Sequence, residues 1–506
     1  MLGKAHRHIH YFALLLLAIA LPTSKAAVNV CGGVLFFNWL LQWNWKEKWN
    51  LLQENKIVLL FGLFFLFFAY GFVATDDAGA SFRAWVSKIP FLLPIVIATT
   101  EKPSLKRQRF LLFAFACTVF VASILSIILM QINGYQDIRE GGLFISHIRF
   151  SICAVLAVLI CGYGIKNNLD KKSVRFWCYV LMGLWITIYL FIIQVFTGII
   201  LLLLFALVTA IYYMKRHREM SGRRWILATS GILVVLVLAA TGWVTYQYFH
   251  YDATAEKSLP ATTKQGHAYT HDVNSYIENG HKVGLYLCEE ELAESWSKCS
   301  SMPFDTVSAT LVRYLNSKGL TKDAEGVAGL SPTDIQRIES GMANEAYAER
   351  FGLKKMLYPT FFSFTLYQRE GLVLNSSVLQ RVELWKNSWR AFVEQPWTGY
   401  GLGRNKAALN VQLDKIASPL RRDMGCHNQF LSYLLIGGIP LLISFLIFYF
   451  TPICWHRSKL NLFYVLFWLA ILLSLFAEDT LETGTGLYLF LFFDSFLRFG
   501  ASDELL

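Results

Sequence analysis

Two residues far apart in the chain carry side chains that could act together on an anionic, lipid-borne substrate. Arg381 lies near the end of a long hydrophilic segment, and His427 follows that segment at the start of an apolar run. A guanidinium can bind a diphosphate through two parallel hydrogen bonds and stays charged as the leaving group departs. A neutral imidazole can take a proton from a hydroxyl as its oxygen attacks. This combination at the lip of an apolar run indicates a membrane enzyme rather than a channel or an anchor.

Both residues also have a structural interpretation. His427 can cap the helix that it begins, and Arg381 can belong to a solvated helix face on which it pairs with Glu383 or Glu394. For either residue alone, the structural interpretation is the more common one. Their position among other cations favours the catalytic interpretation.

Three further residues are candidate substrate ligands. Arg149 and Arg83 lie at the start of apolar runs that are expected to open at the outer membrane face, where a cation is a functional candidate. Long basic side chains in such places also snorkel to lipid headgroups, so both interpretations stay open. Asn428 directly follows His427 and completes the set.

Acidic residues in two short outer links are the candidates for a metal site. Asp76 and Asp77 lie in one link, and Glu478, Asp479 and Glu482 lie in the last one. Their oxygens are ligands that divalent cations prefer. Acids in such links are more often solvated, and we therefore predict no metal site and no cofactor.

A glycine-rich run follows the segment that carries Arg381. It reads Gly399-Tyr-Gly-Leu-Gly403, but no Lys-Ser or Lys-Thr follows, and a helix and Pro396 precede it where a nucleotide-binding loop needs a strand. We expect these glycines to permit a tight turn against the membrane domain or a close backbone approach to substrate.

The elements that must position these residues are membrane helices. Hydrophobic residues make up 55% of the 506-residue chain and charged residues only 16%, a combination that is rare in soluble proteins. A spanning helix needs about 17–25 residues, and the pattern predicts about twelve of them. They lie near residues 9–23, 27–43, 57–74, 84–100, 109–130, 147–165, 175–193, 197–214, 225–247, 428–452, 461–477 and 485–500.

Basic residues in the links between these runs fix the predicted orientation. Lys and Arg concentrate in alternate links, which is the positive-inside pattern and accounts for the net charge of +11 without a nucleic-acid partner. Both termini are therefore predicted in the cytoplasm. The long hydrophilic segment lies outside, between the ninth and tenth helices. The predicted domains are helices 1–9 over 1–249, a mostly helical outer loop domain over 250–426, and helices 10–12 over 427–506.

The outer segment carries signs of a folded domain. Ser331-Pro332 begins a predicted helix over 335–350, and a second helix is predicted from about Val378 to Glu394, which Pro396 ends. Cys288 and Cys299 both fall in this segment and can form a disulfide if it is extracytoplasmic, although spacing alone does not fix the geometry.

These features together resemble the O-antigen ligase and polymerase superfamily of bacterial inner-membrane glycosyltransferases. The resemblance rests on the twelve-helix layout, the outer loop between the ninth and tenth helices, and the motifs from Arg381 to Ile439. Those motifs are Arg381 on the last loop helix, Pro396-Trp-Thr-Gly-Tyr-Gly, His427-Asn428 and Gly437-Gly438-Ile439. The amino-acid sequence of the outer loop is similar to that of Bacteroidetes-type members.

The resemblance implies a metal-independent, inverting transfer at the periplasmic face of the inner membrane. The donor would be a glycan on undecaprenyl diphosphate, and the acceptor a hydroxyl on lipid A–core, on another glycan or on a protein. His427 would activate the acceptor and Arg381 would bind the diphosphate. Ligase, polymerase and protein O-oligosaccharyltransferase remain open alternatives.

One departure from the family pattern bears on the donor. The family often carries a Ser-Arg pair at the outer start of the eighth helix, where this chain has Phe196-Thr-Gly-Ile199 and no cation. Arg149 or Arg83 supplies the charge instead, or the donor is held differently. A transporter of lipid-linked sugars is the alternative from another class, but such proteins usually show internal repeats and none is evident here.

Overall fold

The structure is a computed structural model in which most of the chain is helical. It describes residues 2–72, 77–133, 145–167, 173–193, 195–216, 223–349, 352–373, 376–422, 424–455 and 461–501. Asp76, one of the candidate metal ligands, lies outside the described residues.

Most apolar runs of the N-terminal half form helices near the predicted positions, but the helix predicted near 84–100 is broken into shorter pieces, and a further helix covers residues 45–54, predicted as a link. Ser24, for example, caps the second helix by accepting the Ala27 N–H at 3.2 Å. The helices are α1 Leu2–Ala20, α2 Lys25–Leu41, α3 Trp45–Glu54, α4 Leu59–Phe67, α5 Ala78–Val86, α6 Leu93–Ala98, α7 Leu105–Asn133, α8 His147–Asn167, α9 Val174–Ile192, α10 Phe196–Arg216 and α11 Arg223–Phe249.

Several helices have the length and composition of membrane spans. Within the described part of the chain, four qualify singly: α7, α8, α9 and Gln429–Cys454. Two bent pairs raise the number to six if each pair is one span, namely α2 with α3, bent by 114°, and Ala78–Val86 with Ile89–Ala98, bent by 40°. The all-α membrane fold is thus as predicted, whereas the twelve spans and their orientation stay predictions.

Contacts divide the chain into two compact units. One comprises Met1–Leu227 with Arg381–Leu506, and the other comprises Ala228–Gln380. The three domains predicted from the sequence are topological segments rather than contact units, and that division stays a prediction.

The second unit has its own small core between two amphipathic helices. Leu292 and Trp296 on one helix, and Leu311 and Leu315 on the next, recur one turn apart and are fully buried. The elements of this unit are β1 Ile277–Glu278, which pairs antiparallel with β2 His281–Lys282, and the helices α12 Glu289–Cys299, α13 Phe304–Ser317, α14 Ala324–Ala328, α15 Pro332–Glu339 and α16 Leu353–Glu370.

Two predictions for this segment need correction. The helix that Ser331 begins has the predicted capping box, but it ends at Glu339 rather than near 350, because Gly341 turns the chain with a φ of 85°. Cys288 and Cys299 are free. Cys288 directly precedes an 11-residue helix, and Cys299 is the last residue of that helix. At a rise of about 1.5 Å per residue their Cα atoms lie roughly 16 Å apart, well beyond the ~7 Å limit for a disulfide.

The C-terminal helices complete the first unit. They are α17 Ser377–Glu394, α18 Asn405–Lys415, α19 Gln429–Trp455, α20 Leu462–Ala477 and α21 Gly484–Ser495, and a π-helical turn Phe496–Gly500 follows. Aromatic packing fixes α19 in the core. Phe448 of α19 stacks on Phe64 of α4, with ring centroids 4.7 Å apart.

The glycine-rich segment between α17 and α18 fills a break in α19. The helix loses its regular backbone at Gly437 and Gly438, and the freed carbonyl of Leu435 accepts the Tyr400 N–H at 2.7 Å. Gly438 has a φ of 62°, and a Cβ there would lie 2.4 Å from the Pro396 carbonyl oxygen. The glycines therefore serve a tight turn against a membrane helix, the first of the two predicted roles.

Candidate active site

One carboxylate joins the two residues that the sequence singles out most strongly. Glu478, in the link between α20 and α21, accepts a hydrogen bond from Arg381 Nη2 at 2.9 Å through Oε1. Its other oxygen, Oε2, lies 3.1 Å from His427 Nδ1. Arg381 and His427 are separated widely in the chain, and folding brings both to the same acid.

Helix α17 presents Arg381 to this link. Trp385 follows one turn later on the same face, and its indole N–H donates to the His427 carbonyl at 3.3 Å. Arg381 Nε also donates to the Ala477 carbonyl at 3.1 Å, at the end of α20. The helix is thus fixed against both segments that carry the remaining site residues.

His427 is held in a strained backbone conformation. Its φ is 49°, in the left-handed region that a non-glycine residue enters at a cost of roughly 1–2 kcal/mol. Asp479 holds it there, because its carboxylate accepts the N–H of His427 at 3.2 Å and the N–H of Asn428 at 2.8 Å. Ser432 Oγ donates to the same carboxylate at 2.8 Å. Such strain is found where the surrounding structure fixes a functional side chain.

Asn428 acts as the cap of α19. Its Oδ1 accepts the N–H groups of Phe430 and Leu431 at 3.0 and 3.1 Å, and its Nδ2 donates to the Phe476 carbonyl at 3.2 Å. These contacts orient the residue that carries the imidazole. A substrate-binding role for Asn428 stays a prediction.

Of the two candidate arginines at helix starts, Arg149 is the one brought to the site. It lies in the first turn of α8 and is close enough to interact electrostatically with Glu478 and Asp479. Its Nε is buried and has no hydrogen-bond partner among the described residues. The charge of Arg149 therefore acts on the two acids of this link, and a substrate-binding role for Arg149 stays a prediction.

The other candidate, Arg83, lies on an exposed face of α5. The buried cation of this segment is a lysine five positions later. Lys88 is buried and donates to Glu482 Oε1 at 2.7 Å, and Gln429 Nε2 donates to the same oxygen at 3.4 Å. Lys88 therefore ties the segment after α5 to the acidic link and to the start of α19.

Glu478 is buried and Asp479 and Glu482 are half-buried, so the expectation of solvated acids is wrong for this link, whereas Asp77 in the other link is exposed. Glu478 is 8% exposed. Burial alone raises the pKa of Glu478, but the hydrogen bond from His427 and the charge of Arg381 outweigh it, and the pKa is lowered overall. Burial raises the pKa of Asp479, and its Ser432 and backbone donors offset that only in part.

These acids bind groups of the protein itself. Glu478 contacts Arg381 and His427, Asp479 contacts backbone N–H groups, and Glu482 contacts Lys88. Within the described ranges, no group of three or more His, Cys, Asp or Glu side chains is arranged to hold a metal ion.

The sequence pattern indicates Glu478 and Asp479 only as candidate metal ligands, not as partners of Arg381 and His427, and it does not single out Lys88. One signal was present: Glu478 and Asp479 directly follow an apolar run, where an ionisable pair needs a partner if it is drawn into the protein. Their partners, however, lie in other segments and become visible only in the fold.

One segment of the chain matches a known family model. Residues 352–446 match the model described as O-antigen ligase. The match supports membership of the O-antigen ligase superfamily. This confirms the resemblance seen in the motifs. No curated protein matches the chain.

The O-antigen ligase segment includes part of the site. Arg381 and His427 lie inside the match, as does the break in α19, whereas Glu478 lies beyond its end at residue 446. Membership indicates a glycan-transferring membrane enzyme of the ligase or polymerase kind, with lipid-linked glycan substrates. Together with the apolar helices, it indicates a multi-pass membrane protein.

Proposed function

We propose that this protein transfers a glycan from undecaprenyl diphosphate to an acceptor hydroxyl at the periplasmic face of the inner membrane. The observation that carries the proposal is the shared carboxylate: Arg381 and His427, from distant segments, both contact Glu478. A diphosphate-binding group and a proton acceptor therefore lie close together, on either side of one carboxylate. The acceptor is a hydroxyl of lipid A–core or a similar glycan.

His427 acts as the general base. As the acceptor oxygen attacks the anomeric carbon, its proton passes to the imidazole and a new glycosidic bond forms. The bond from that carbon to the diphosphate oxygen breaks, and its electrons leave with undecaprenyl diphosphate. Attack from the side opposite the leaving group inverts the anomeric centre. A positioned base of this kind contributes about 10²–10⁴-fold to the rate.

Arg381 and Arg149 hold the diphosphate and stabilise the charge that develops on it. Diphosphate is already a fair leaving group, so catalysis needs charge stabilisation and positioning more than chemical activation. Arg381 contacts Glu478, and Arg149, whose Nε is buried, interacts electrostatically with the same acid, which supports a joint role. No cofactor enters this mechanism.

The test is glycan transfer by the purified full chain with a lipid-linked glycan donor. His427→Ala and Arg381→Ala should each lower transfer at least about 100-fold, the lower range for loss of a general base. Arg390→Ala is the matched control, because Arg390 lies on the same helix α17, is exposed and contacts Asn387 at 3.2 Å. Wild-type transfer by His427→Ala would remove the catalytic proposal.

Ligase, polymerase and protein O-oligosaccharyltransferase share this chemistry and differ in the acceptor. Supplying lipid A–core, a second lipid-linked glycan or an unglycosylated protein to the same preparation separates the three. Modification of lipid A–core alone identifies a ligase.

A further inference from the structure

We infer that Glu478 has two functions in this site: it positions the His427 base, and it is the internal anion that occupies Arg381 until the donor diphosphate replaces it. The inference rests on the proposed function. It assigns a role to a residue that lies outside the matched O-antigen ligase segment.

The first function follows from the side of the ring that Glu478 contacts. The acid is ionised near neutral pH, because its pKa is lowered, and an ionised carboxylate only accepts hydrogen bonds. The His427 nitrogen 3.1 Å away, Nδ1, therefore carries the proton and donates it to Oε2. The lone pair of the neutral ring then lies on Nε2, which is the atom that takes the proton of the acceptor.

The second function follows from the contact that the other oxygen of Glu478 makes with Arg381. Oε1 accepts from Arg381 Nη2, so an anionic group of the protein already holds the guanidinium that the donor needs. A diphosphate carries more charge than a carboxylate and offers paired oxygens to the planar guanidinium. The donor therefore displaces Glu478 from Arg381, while the Nδ1 contact on the other oxygen remains.

Other charged groups surround the ring and have different tasks. Asp479 uses its oxygens on backbone N–H groups and Ser432, and Glu482 is bound by Lys88. Arg149 approaches from α8. Of these acids, Glu478 is the one whose carboxylate contacts the imidazole ring, so it alone can fix the tautomer.

The experiment is Glu478→Gln in the full chain, which preserves shape and removes the negative charge. We expect kcat to fall about 100-fold, as for a base whose orientation is lost. We expect the KM for the lipid-linked donor to fall several-fold, because the internal competitor is gone. Glu478→Asp should restore part of kcat.

Binding of undecaprenyl diphosphate itself provides a second measurement that does not need turnover. Glu478→Gln should bind this probe several-fold more tightly than the wild type, and Arg381→Ala should bind it more weakly. A merely structural role for Glu478 predicts the opposite, namely weaker binding together with lost activity. Unchanged or weaker binding by Glu478→Gln would overturn the internal-anion role.

The failure of this inference can be told apart from failure of the proposed function. An inactive His427→Ala together with a Glu478→Gln of wild-type kcat overturns the positioning role and leaves the proposed function standing. A fully active His427→Ala overturns both.

Discussion

Two glutamate–arginine pairs in this protein use the same groups in different ways. In the second unit, Glu278 receives Arg313 Nε and Nη2 at 2.9 and 2.8 Å, one on each oxygen. In the first unit, one oxygen of Glu478 accepts from Arg381 and the other lies 3.1 Å from His427 Nδ1. Both oxygens of Glu278 accept from one arginine, whereas the two oxygens of Glu478 contact two different residues.

The two pairs also differ in burial and in access to solvent. The Glu278 side chain is fully buried and also accepts from Asn344 at 2.9 Å, while Phe362 covers the Arg313 guanidinium with its ring centroid 3.3 Å away. The His427 side chain beside Glu478 is 29% exposed. A saturated pair stabilises a fold, whereas a divided carboxylate beside an accessible imidazole is suited to exchange partners with a substrate.

Removing the arginine of each pair should separate stability from activity most clearly. Arg313→Ala leaves a buried carboxylate without its cation, and such losses cost about 3–5 kcal/mol of folding free energy. Arg381→Ala should shift the thermal midpoint much less and abolish transfer. The check is the thermal midpoint and the transfer rate of both variants. Equal destabilisation by the two changes would break the comparison.

The two candidate arginines at helix starts should differ in their effect on catalysis. Arg149→Ala should lower kcat/KM for the donor about 10–100-fold, the effect of losing a charged hydrogen bond worth roughly 1.5–3 kcal/mol. Arg83→Ala, its control, removes a cation from an exposed face and should leave kcat/KM near the wild-type value. Steady-state kinetics over a range of donor concentrations measures both. The reverse order would move the diphosphate site towards α5.

Acid stability should reveal the charge of Glu478. Its pKa in the folded protein is lowered, so below about pH 4.3, its ordinary value, the unfolded state binds more protons and stability falls with pH. Glu478→Gln removes this contribution, and its thermal midpoint should fall less between pH 5 and pH 3, the range around that ordinary value. Parallel pH curves for the variant and the wild type would contradict the lowered pKa.

The smallest expected effect concerns backbone strain. His427→Gly removes the left-handed strain at a φ of 49° and should change stability by about 1 kcal/mol or less in the favourable direction, while transfer is lost. Ala417→Gly relieves a similar strain, at a φ of 47°, on an exposed turn and should leave transfer unchanged. Thermal midpoints and transfer rates of the two variants test this. Destabilisation by both would show that neither residue is strained.

The sequence predicts the helices well because apolar runs and caps are local signals. Ser331 begins its helix through a capping box with Asp334, as the residue types predict. The helix that contains Arg381 has nearly the predicted bounds, Ser377–Glu394. Residue type and position also sufficed to single out Arg381, on the last helix of the hydrophilic segment, and His427, at the start of an apolar run.

The rest of the site depends on contacts between distant segments. The local sequence around an acid in a short link is the same whether the acid is solvated or buried. Nothing local therefore identifies Glu478 as the partner of Arg381 and His427. The break in α19 is equally non-local, because the Pro396–Gly403 segment supplies the hydrogen bonds that its backbone lacks. That Lys88 rather than Arg83 contacts the acidic link likewise depends on a contact between distant segments, which the hydropathy pattern does not fix.

The most direct test of a shared Arg381–His427 site is an experimental structure of the full chain with an undecaprenyl-diphosphate-linked glycan bound. The account predicts diphosphate oxygens within hydrogen-bond distance of Arg381 and Arg149, with Glu478 bound to His427 alone. The anomeric carbon should lie far enough from His427 Nε2 for the acceptor hydroxyl to fit between them. A diphosphate bound elsewhere, with the Arg381–Glu478 pair intact, would contradict it.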